Sequence, residues 1–157
     1  MNIAEDSAKV RFPPPLVYLG FLLLGFAGDR ILALDPLPLS EALRYGLCAG
    51  LVIFGAILAL SAIKLFRAID TDEKPWRPTT GLAMVGIYRF TRNPMYLGMA
   101  ATYLGLALAL ASIGALILFP LLILAIRTQV IAREERYLDA KFGEEYAAYK
   151  AQVRRWF

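Results

Sequence analysis

Four long apolar stretches limit what this chain can fold into more than any other feature. They cover about residues 15–34, 43–66, 94–111 and 115–131, and few charged side chains fall within them. About 20 apolar residues is the length that an α-helix needs to cross the hydrocarbon core of a bilayer. A hydrophobic fraction of 59% agrees with helices buried in lipid. The sequence therefore predicts an all-α integral membrane protein with about four transmembrane helices.

The distribution of basic residues predicts how these helices are oriented. If the N-terminus, the loop at residues 67–93 and the C-terminal tail share one side, fifteen of the seventeen lysines and arginines lie there, and only Arg30 and Arg44 lie opposite. Lysine and arginine accumulate on the cytoplasmic side of membrane proteins. We therefore expect a multi-pass protein of the inner or plasma membrane with both termini cytoplasmic. The third stretch is short enough to be tilted or re-entrant.

The whole chain, residues 1–157, is predicted to form one membrane-embedded domain. Residues 1–93 hold the first two spans and the cytoplasmic loop, and residues 94–157 hold a helical hairpin and a tail. Residues 1–12 are polar and are expected to be frayed or interfacial. Ser40 predicts the start of the second helix.

Small and charged residues within the spans suggest how the helices meet. Gly46, Gly50 and Gly55 on the second span allow close contact with a neighbouring helix. Asp29 and Arg30, at the end of the first span, can pair with each other near an interface, although ionisable residues inside a span often mark function.

Two residue types that carry much enzyme chemistry are scarce. The chain has no histidine and a single cysteine, Cys48. An internal disulfide, a cysteine-rich metal site and an imidazole base are therefore excluded, and no metal is expected. Nucleic-acid binding is not expected either, because the basic residues follow a membrane edge. Sparse charges inside the spans and the lack of an inverted repeat argue against a transporter.

The segment GIYRFTRNPMYLG, at residues 86–98, carries the most chemistry. Asn93 and Pro94 predict a helix start, with asparagine capping the helix and proline in the first turn. A helix N-terminus favours an anion, and Arg89 and Arg92 reinforce this, although arginines beside a span commonly serve as topology anchors.

Aromatic residues and glycines of the same region suit the wall of a binding site. Tyr88 and Tyr96 offer flat faces with polar tips. Gly81, Gly86 and Gly98 permit close approach of the backbone.

A short turn at residues 112–114 places this segment opposite a second polar cluster. Each residue of a helix rises about 1.5 Å, so twenty residues before Ile113 and twenty after it reach the same depth. Those counts end at Asn93 and at the cluster of residues 133–136, so the two are expected to face each other. Glu134 and Glu135 can accept hydrogen bonds from a ribose or hold an ammonium group, although paired glutamates in a basic helix are more often solvated.

The tail is predicted to contain two helices. Gly143 ends the first helix, and Glu144 opens another in which Tyr146 and Tyr149 share one face. Packing of both tyrosines onto the membrane surface is the simpler interpretation. One zwitterionic ligand with an aromatic base, such as S-adenosylmethionine, would satisfy both polar clusters.

The order of these motifs resembles the isoprenylcysteine carboxyl methyltransferase family and its relatives, the membrane phospholipid methyltransferases. GIYRFTRNPMYLG, an apolar hairpin and EERYLDAKFGEEYAAYKAQVRRW follow one another in residues 79–157, about half of the chain. Many relatives have histidine at the position of Asn93. The resemblance implies an integral membrane methyltransferase that uses S-adenosylmethionine, with a cytoplasmic pocket closed by the helical tail and a lipid-like acceptor entering from the bilayer.

Site residues follow from this resemblance. The predicted catalytic residues are Arg92, Tyr96 and Glu135. The predicted cofactor-binding residues are Tyr88, Arg92, Asn93, Pro94, Tyr96, Leu97, Glu134, Glu135 and Tyr146.

The nature of the methyl acceptor is predicted from the bases that the chain lacks. A carboxylate is ionised above about pH 4 and needs no base, whereas an ammonium group must first lose a proton. The absence of histidine favours carboxyl O-methylation of a prenylated or fatty-acid-type substrate. N-methylation of a phosphatidylethanolamine-type lipid, or a non-catalytic membrane protein that keeps the family scaffold, are the alternatives.

Overall fold

The computed structural model describes residues 5–10, 12–69 and 74–156, and no strand occurs among them. Predictions for residues 1–4, Arg11, the loop at 70–73 and Phe157 lie outside the described residues. The described residues contain five α-helices, as predicted for an all-α fold. They are α1 (Pro14–Ile31), α2 (Glu41–Ala68), α3 (Pro94–Ala109), α4 (Ile113–Ile126) and α5 (Ala132–Gln152).

Two shorter helical segments connect these elements. A 3₁₀ turn covers Gly86–Arg89, and a π-helical turn covers Arg127–Ile131. The π-helical turn joins α4 to α5, so that one long rod leads from the apolar hairpin into the charged tail. Gly143 breaks this rod with a φ of 51°, as predicted for the boundary between two tail helices. A helix occurs at each of the four predicted apolar stretches, with ends shifted by a few residues.

Serines begin two of the helices. Ser40 accepts a hydrogen bond from the backbone N–H of Leu43, as predicted, and Ser112 accepts one from Ala115 at 3.0 Å. Ala111, with a φ of 50°, turns the chain between α3 and α4. Ala111 and Ser112 thus make the tight turn between α3 and α4 on which the predicted hairpin depends.

Asn93 occupies the predicted position before α3, but its side chain does not cap the helix. Its Nδ2 donates instead to the carbonyl oxygen of Arg155 at 2.9 Å. The predicted side-chain cap is therefore wrong, and the side chain is held by the C-terminal segment instead. Pro94 lies in the first turn as predicted.

Helix α3 packs against α2 through facing glycines. A Cβ atom on Gly55 would lie 2.5 Å from the carbonyl oxygen of Gly98, so the two backbones need both glycines. The prediction of close helix contact is confirmed for Gly55; Gly98, which is predicted for the wall of the binding site, makes its close approach to α2 and does not line the cavity between the start of α3 and α5. The prediction of close helix contact is wrong for Gly46 and Gly50, which have open space at the Cβ position, because they lie on faces of α2 that meet no neighbouring helix.

On its other side, α3 packs against α1, which also packs on α4. Asp29 of α1 accepts hydrogen bonds from the Ser112 hydroxyl at 2.5 Å and from the Gly114 N–H at 2.6 Å. Arg30 lies over the ring of Phe26. The predicted pairing of Asp29 with Arg30 is therefore wrong, because the start of α4 provides better partners for this carboxylate.

By length and composition, two helical segments among the described residues can cross a membrane. They are α2 and the rod Ile113–Gln152; α3 is apolar but shorter. Helix α2 exposes large apolar side chains, among them Ile53, Ile57 and Leu60. Extended exposed apolar surfaces mark interaction or membrane sites.

The N-terminal segment is packed rather than frayed. Val10 is 1% exposed, and Asp6 forms an ion pair with Lys141 at 2.6 Å. For residues 5–10 the predicted fraying is therefore wrong, because α5 supplies partners that the local sequence does not indicate.

Candidate functional site

A cavity of about 360 Å³ lies where the start of α3 faces α5. The ends of α1 and α2 and the loop at residues 74–83 complete its walls. Six of the predicted site residues line it: Tyr88, Arg92, Asn93, Tyr96, Glu134 and Tyr146. Three do not, namely Pro94, Leu97 and Glu135.

Two contacts show that the apolar hairpin brings both polar clusters to one depth, as predicted. The hydroxyl of Tyr96 donates to Glu134 Oε1 at 2.5 Å. Arg92 Nη2 lies 3.2 Å from Glu135 Oε1. The matched lengths of α3 and of α4 with its π-helical turn therefore join segments about forty residues apart.

Arg92 is a cation that lines this cavity and has unused hydrogen-bonding capacity. Its side chain is 12% exposed, and only Nη2 is paired, with Glu135. Its Nε and Nη1 are buried and have no hydrogen-bond partner among the described residues. Buried polar groups are nearly always hydrogen-bonded, so unpaired N–H groups at a cavity indicate a place for an anionic ligand group.

Glu134 supplies the opposite charge at the same cavity. Burial raises the pKa of its carboxyl group to about 7; the hydrogen bond from Tyr96 opposes this increase, and the Glu135 charge adds to it. The carboxyl group is thus ionised above about pH 7 and neutral below it. A cationic ligand group beside Glu134 would stabilise the ionised form.

Aromatic rings form another part of the cavity wall. The hydroxyl of Tyr149 donates to the carbonyl oxygen of Tyr88 at 2.7 Å, and the ring of Phe66 packs edge-on against that of Tyr88. Tyr146 and Tyr149 are buried at 2% and 8% exposure. Their predicted placement on the membrane surface is wrong, because the bend at Gly143 turns this part of α5 back towards α3.

The cavity also has apolar lining residues. Ile63 and Phe66 of α2, Met95 and Met99 of α3, and Pro14 at the start of α1 line it. Methionine side chains adapt to apolar ligands of varied shape. The cavity therefore combines side chains of both charges with adaptable apolar side chains.

Two residues of the GIYRFTRNPMYLG segment contribute less to the cavity than the sequence predicts. Arg89 is exposed and does not line the cavity. Gly86 has open space at its Cβ position, but its φ of 60° favours glycine, so it makes the turn rather than a close approach.

Sequence reasoning missed Arg155 and Thr91. Arg155 binds Glu135 through two hydrogen bonds, and Thr91 donates to the carbonyl oxygen of Arg155. Arg155 lies in a tail with several other basic residues, and nothing in the sequence distinguishes it from them. No group of three or more metal-ligating side chains occurs in the part of the chain that the structure describes.

Comparisons with known proteins agree with the motifs. A family model described as phospholipid methyltransferase matches residues 43–145. An uncharacterized protein of Haemophilus influenzae is 45% identical over 62 residues, which cover 40% of this chain and 98% of that protein. The protein-S-isoprenylcysteine O-methyltransferase of Schizosaccharomyces pombe is 35% identical over 68 residues, 43% of this chain but only 29% of the yeast enzyme. No solved structure matches the chain at a significant level.

Proposed function

This chain belongs to the phospholipid methyltransferase family, and we propose on that premise that it transfers a methyl group from S-adenosylmethionine to a lipid-like acceptor at the membrane. The family match and the apolar helices support a membrane methyltransferase. The identity of the methyl donor, the acceptor and the roles of individual residues are the substance of the proposal.

One observation carries the proposal: Arg92, whose Nε and Nη1 atoms are buried without a hydrogen-bond partner among the described residues, and Glu134 line the same cavity. The amino-acid end of S-adenosylmethionine has a carboxylate for Arg92 and an ammonium group for Glu134. Tyr88 and Tyr146 offer rings and hydroxyl groups to the nucleoside. The cavity volume of about 360 Å³ falls within the range of about 300–1,000 Å³ common for small-molecule sites.

When bound, S-adenosylmethionine supplies an electrophilic methyl group on a sulfonium. The residues of this chain act by positioning and by excluding water. Arg92 orients the carboxylate, Tyr96 fixes the Glu134 carboxyl group through its hydrogen bond, and Glu135 holds Arg92. Pro94 and Leu97 support the site from the first turn of α3.

We assign four helices, α1 to α4, to the membrane, with both termini and the cavity on the cytoplasmic side of the inner or plasma membrane. The exposed apolar side chains of α2 and the excess of basic residues outside the apolar stretches support this topology. The acceptor chain enters beside the apolar lining residues Phe66, Met95 and Met99.

The leading acceptor is a carboxylate on a prenylated or fatty-acid-type molecule, which needs no base. A second candidate is N-methylation of a phosphatidylethanolamine-type lipid. This second candidate requires a base, and Glu134, a buried group with a pKa of about 7, can take a proton from an acceptor ammonium group near neutral pH only when it does not pair with the ammonium group of the donor.

Incubation of the purified protein with methyl-labelled S-adenosylmethionine and a total lipid extract tests the function. We expect a labelled lipid; release of the label by mild alkali identifies an ester, and resistance to alkali identifies an amine. Absence of a labelled product, together with absence of S-adenosylhomocysteine binding in titration calorimetry, would identify a non-catalytic protein that keeps the family scaffold.

The pH dependence of ligand binding tests the assignment of Glu134. Because the carboxyl group is neutral below about pH 7, its attraction for an ammonium group is lost as the pH falls. We expect the affinity for S-adenosylhomocysteine to decrease about ten-fold from pH 8 to pH 6, as one proton is taken up. Calorimetry at both values measures this. Glu134→Gln should bind more weakly with a flat profile; an unchanged slope in that variant would contradict the assignment.

A further inference from the structure

The C-terminal segment, residues 153–156, follows the backbone of the 91–93 segment. The N–H of Arg92 donates to the carbonyl oxygen of Arg154 at 3.1 Å. The Thr91 hydroxyl and the Asn93 amide both donate to the carbonyl oxygen of Arg155, at 3.1 and 2.9 Å. Thr91 and Asn93 are buried, at 1% and 7% exposure. The three residues before α3 therefore all form hydrogen bonds with the C-terminal segment, Arg92 through its backbone and Thr91 and Asn93 through their side chains.

The Arg155 side chain adds a second connection to the same place. Its Nε and Nη2 donate to the two carboxylate oxygens of Glu135, at 3.0 and 2.5 Å. Arg92 Nη2 shares one of these oxygens at 3.2 Å. One carboxylate thus serves two guanidinium groups, and the cluster keeps one uncompensated positive charge.

Because Arg92 and Arg155 share the Glu135 carboxylate, the number of hydrogen bonds that Arg92 can form with it is limited. A carboxylate and a guanidinium group alone prefer a bidentate pair. Because Arg155 takes the bidentate position on Glu135, Arg92 is left with a single contact. Its Nε and Nη1 atoms stay buried and unpaired, in a side chain that lines the cavity.

We propose that Arg155 and the amide of Asn93 are positioning residues that keep the Arg92 guanidinium group available for the ligand carboxylate. Residues 153–156 then form part of the methyl-donor site although their side chains do not line the cavity. This inference rests on the proposed function, which gives Arg92 its ligand.

The contact from Asn93 has a chemical consequence. Its role requires an N–H donor directed at the carbonyl oxygen of Arg155. Histidine has a ring N–H that can make the same hydrogen bond, whereas aspartate is nearly isosteric with asparagine but has no donor when ionised. Asn93→His should therefore preserve the connection, and Asn93→Asp should break it.

Titration of detergent-solubilised protein with S-adenosylhomocysteine tests the role of Arg155. In Arg155→Gln, Glu135 is free to pair fully with Arg92, and we expect affinity to fall about ten-fold, the loss of one charge-assisted hydrogen bond. Arg155→Lys should recover part of it. Arg136→Gln, the same charge change at an exposed neighbour of Glu135, should bind like the wild type. Wild-type affinity in Arg155→Gln, or an equal loss in Arg136→Gln, would overturn the inference.

A second measurement needs no ligand and uses the Asn93 pair. Hydrogen exchange followed by mass spectrometry should show faster exchange in the peptide covering residues 86–93 in Asn93→Asp than in Asn93→His or wild type. Equal exchange in Asn93→Asp and wild type would contradict the connection, even if Arg155→Gln does not fold. If the wild type binds no S-adenosylhomocysteine, the proposed function fails, and the exchange rates still decide whether residues 153–156 hold the 91–93 segment.

Discussion

Arg92→Ala is expected to weaken binding of S-adenosylhomocysteine about 100-fold and to abolish methyl transfer, while the protein stays folded in detergent. Removing one partner of a buried, hydrogen-bonded charge pair costs about 2–5 kcal/mol. About 3 kcal/mol corresponds to the stated loss of affinity. Arg92 is suited to such a role because two of its nitrogen atoms are buried and unpaired beside the cavity. Titration calorimetry and the methylation assay measure the two effects.

Arg89→Ala is the matched control for this variant. It removes the same side chain three residues earlier, from an exposed position that does not line the cavity. Binding and turnover should remain close to those of the wild type. Near-normal turnover in Arg92→Ala, with a thermal midpoint unchanged in both variants, would dismiss the assignment of Arg92 to the methyl donor.

Gly55→Ala is expected to lower the thermal midpoint of the protein and to weaken ligand binding together with it. The new Cβ atom would lie 2.5 Å from both the carbonyl oxygen of Gly98 and the hydroxyl of Thr102, so α2 and α3 must separate. Overpacking of this kind typically destabilises by about 1–3 kcal/mol. Because α3 carries Tyr96 at the cavity, its displacement also disturbs the site.

Gly50→Ala is the matched control on the same helix. Its Cβ position is open, so the change adds no clash. Alanine favours a helix over glycine by about 1 kcal/mol, and the midpoint should stay or rise slightly. Equal midpoints for Gly50→Ala and Gly55→Ala in thermal unfolding experiments would show that the two helices do not meet through Gly55.

The hairpin geometry could be predicted because it depends on local rules. A short turn at Ser112 and a fixed rise per residue are sufficient to place Asn93 and Glu134 at one depth. The hydrogen bond between Tyr96 and Glu134 confirms that placement. Helix ends were predictable for the same reason, since serine and proline act on the nearest turn of backbone.

Contacts between distant segments could not be predicted in this way. The side chain of Asn93 caps helices well in general, yet here it binds the carbonyl oxygen of Arg155, sixty-two residues away in the chain. Likewise, nothing in the sequence of α2 distinguishes Gly55, which meets α3, from Gly50, which meets open space. Such choices depend on the rotation of each helix about its axis, which is set by packing partners rather than by local pattern.

Photochemical cross-linking with labelled S-adenosylmethionine, followed by peptide mapping, tests the central claim most directly. The account predicts that the label enters peptides from residues 86–96 and 132–149 and that excess S-adenosylhomocysteine prevents this. Label found elsewhere in the chain, or label in these peptides that S-adenosylhomocysteine does not displace, would contradict a methyl-donor site between the start of α3 and α5.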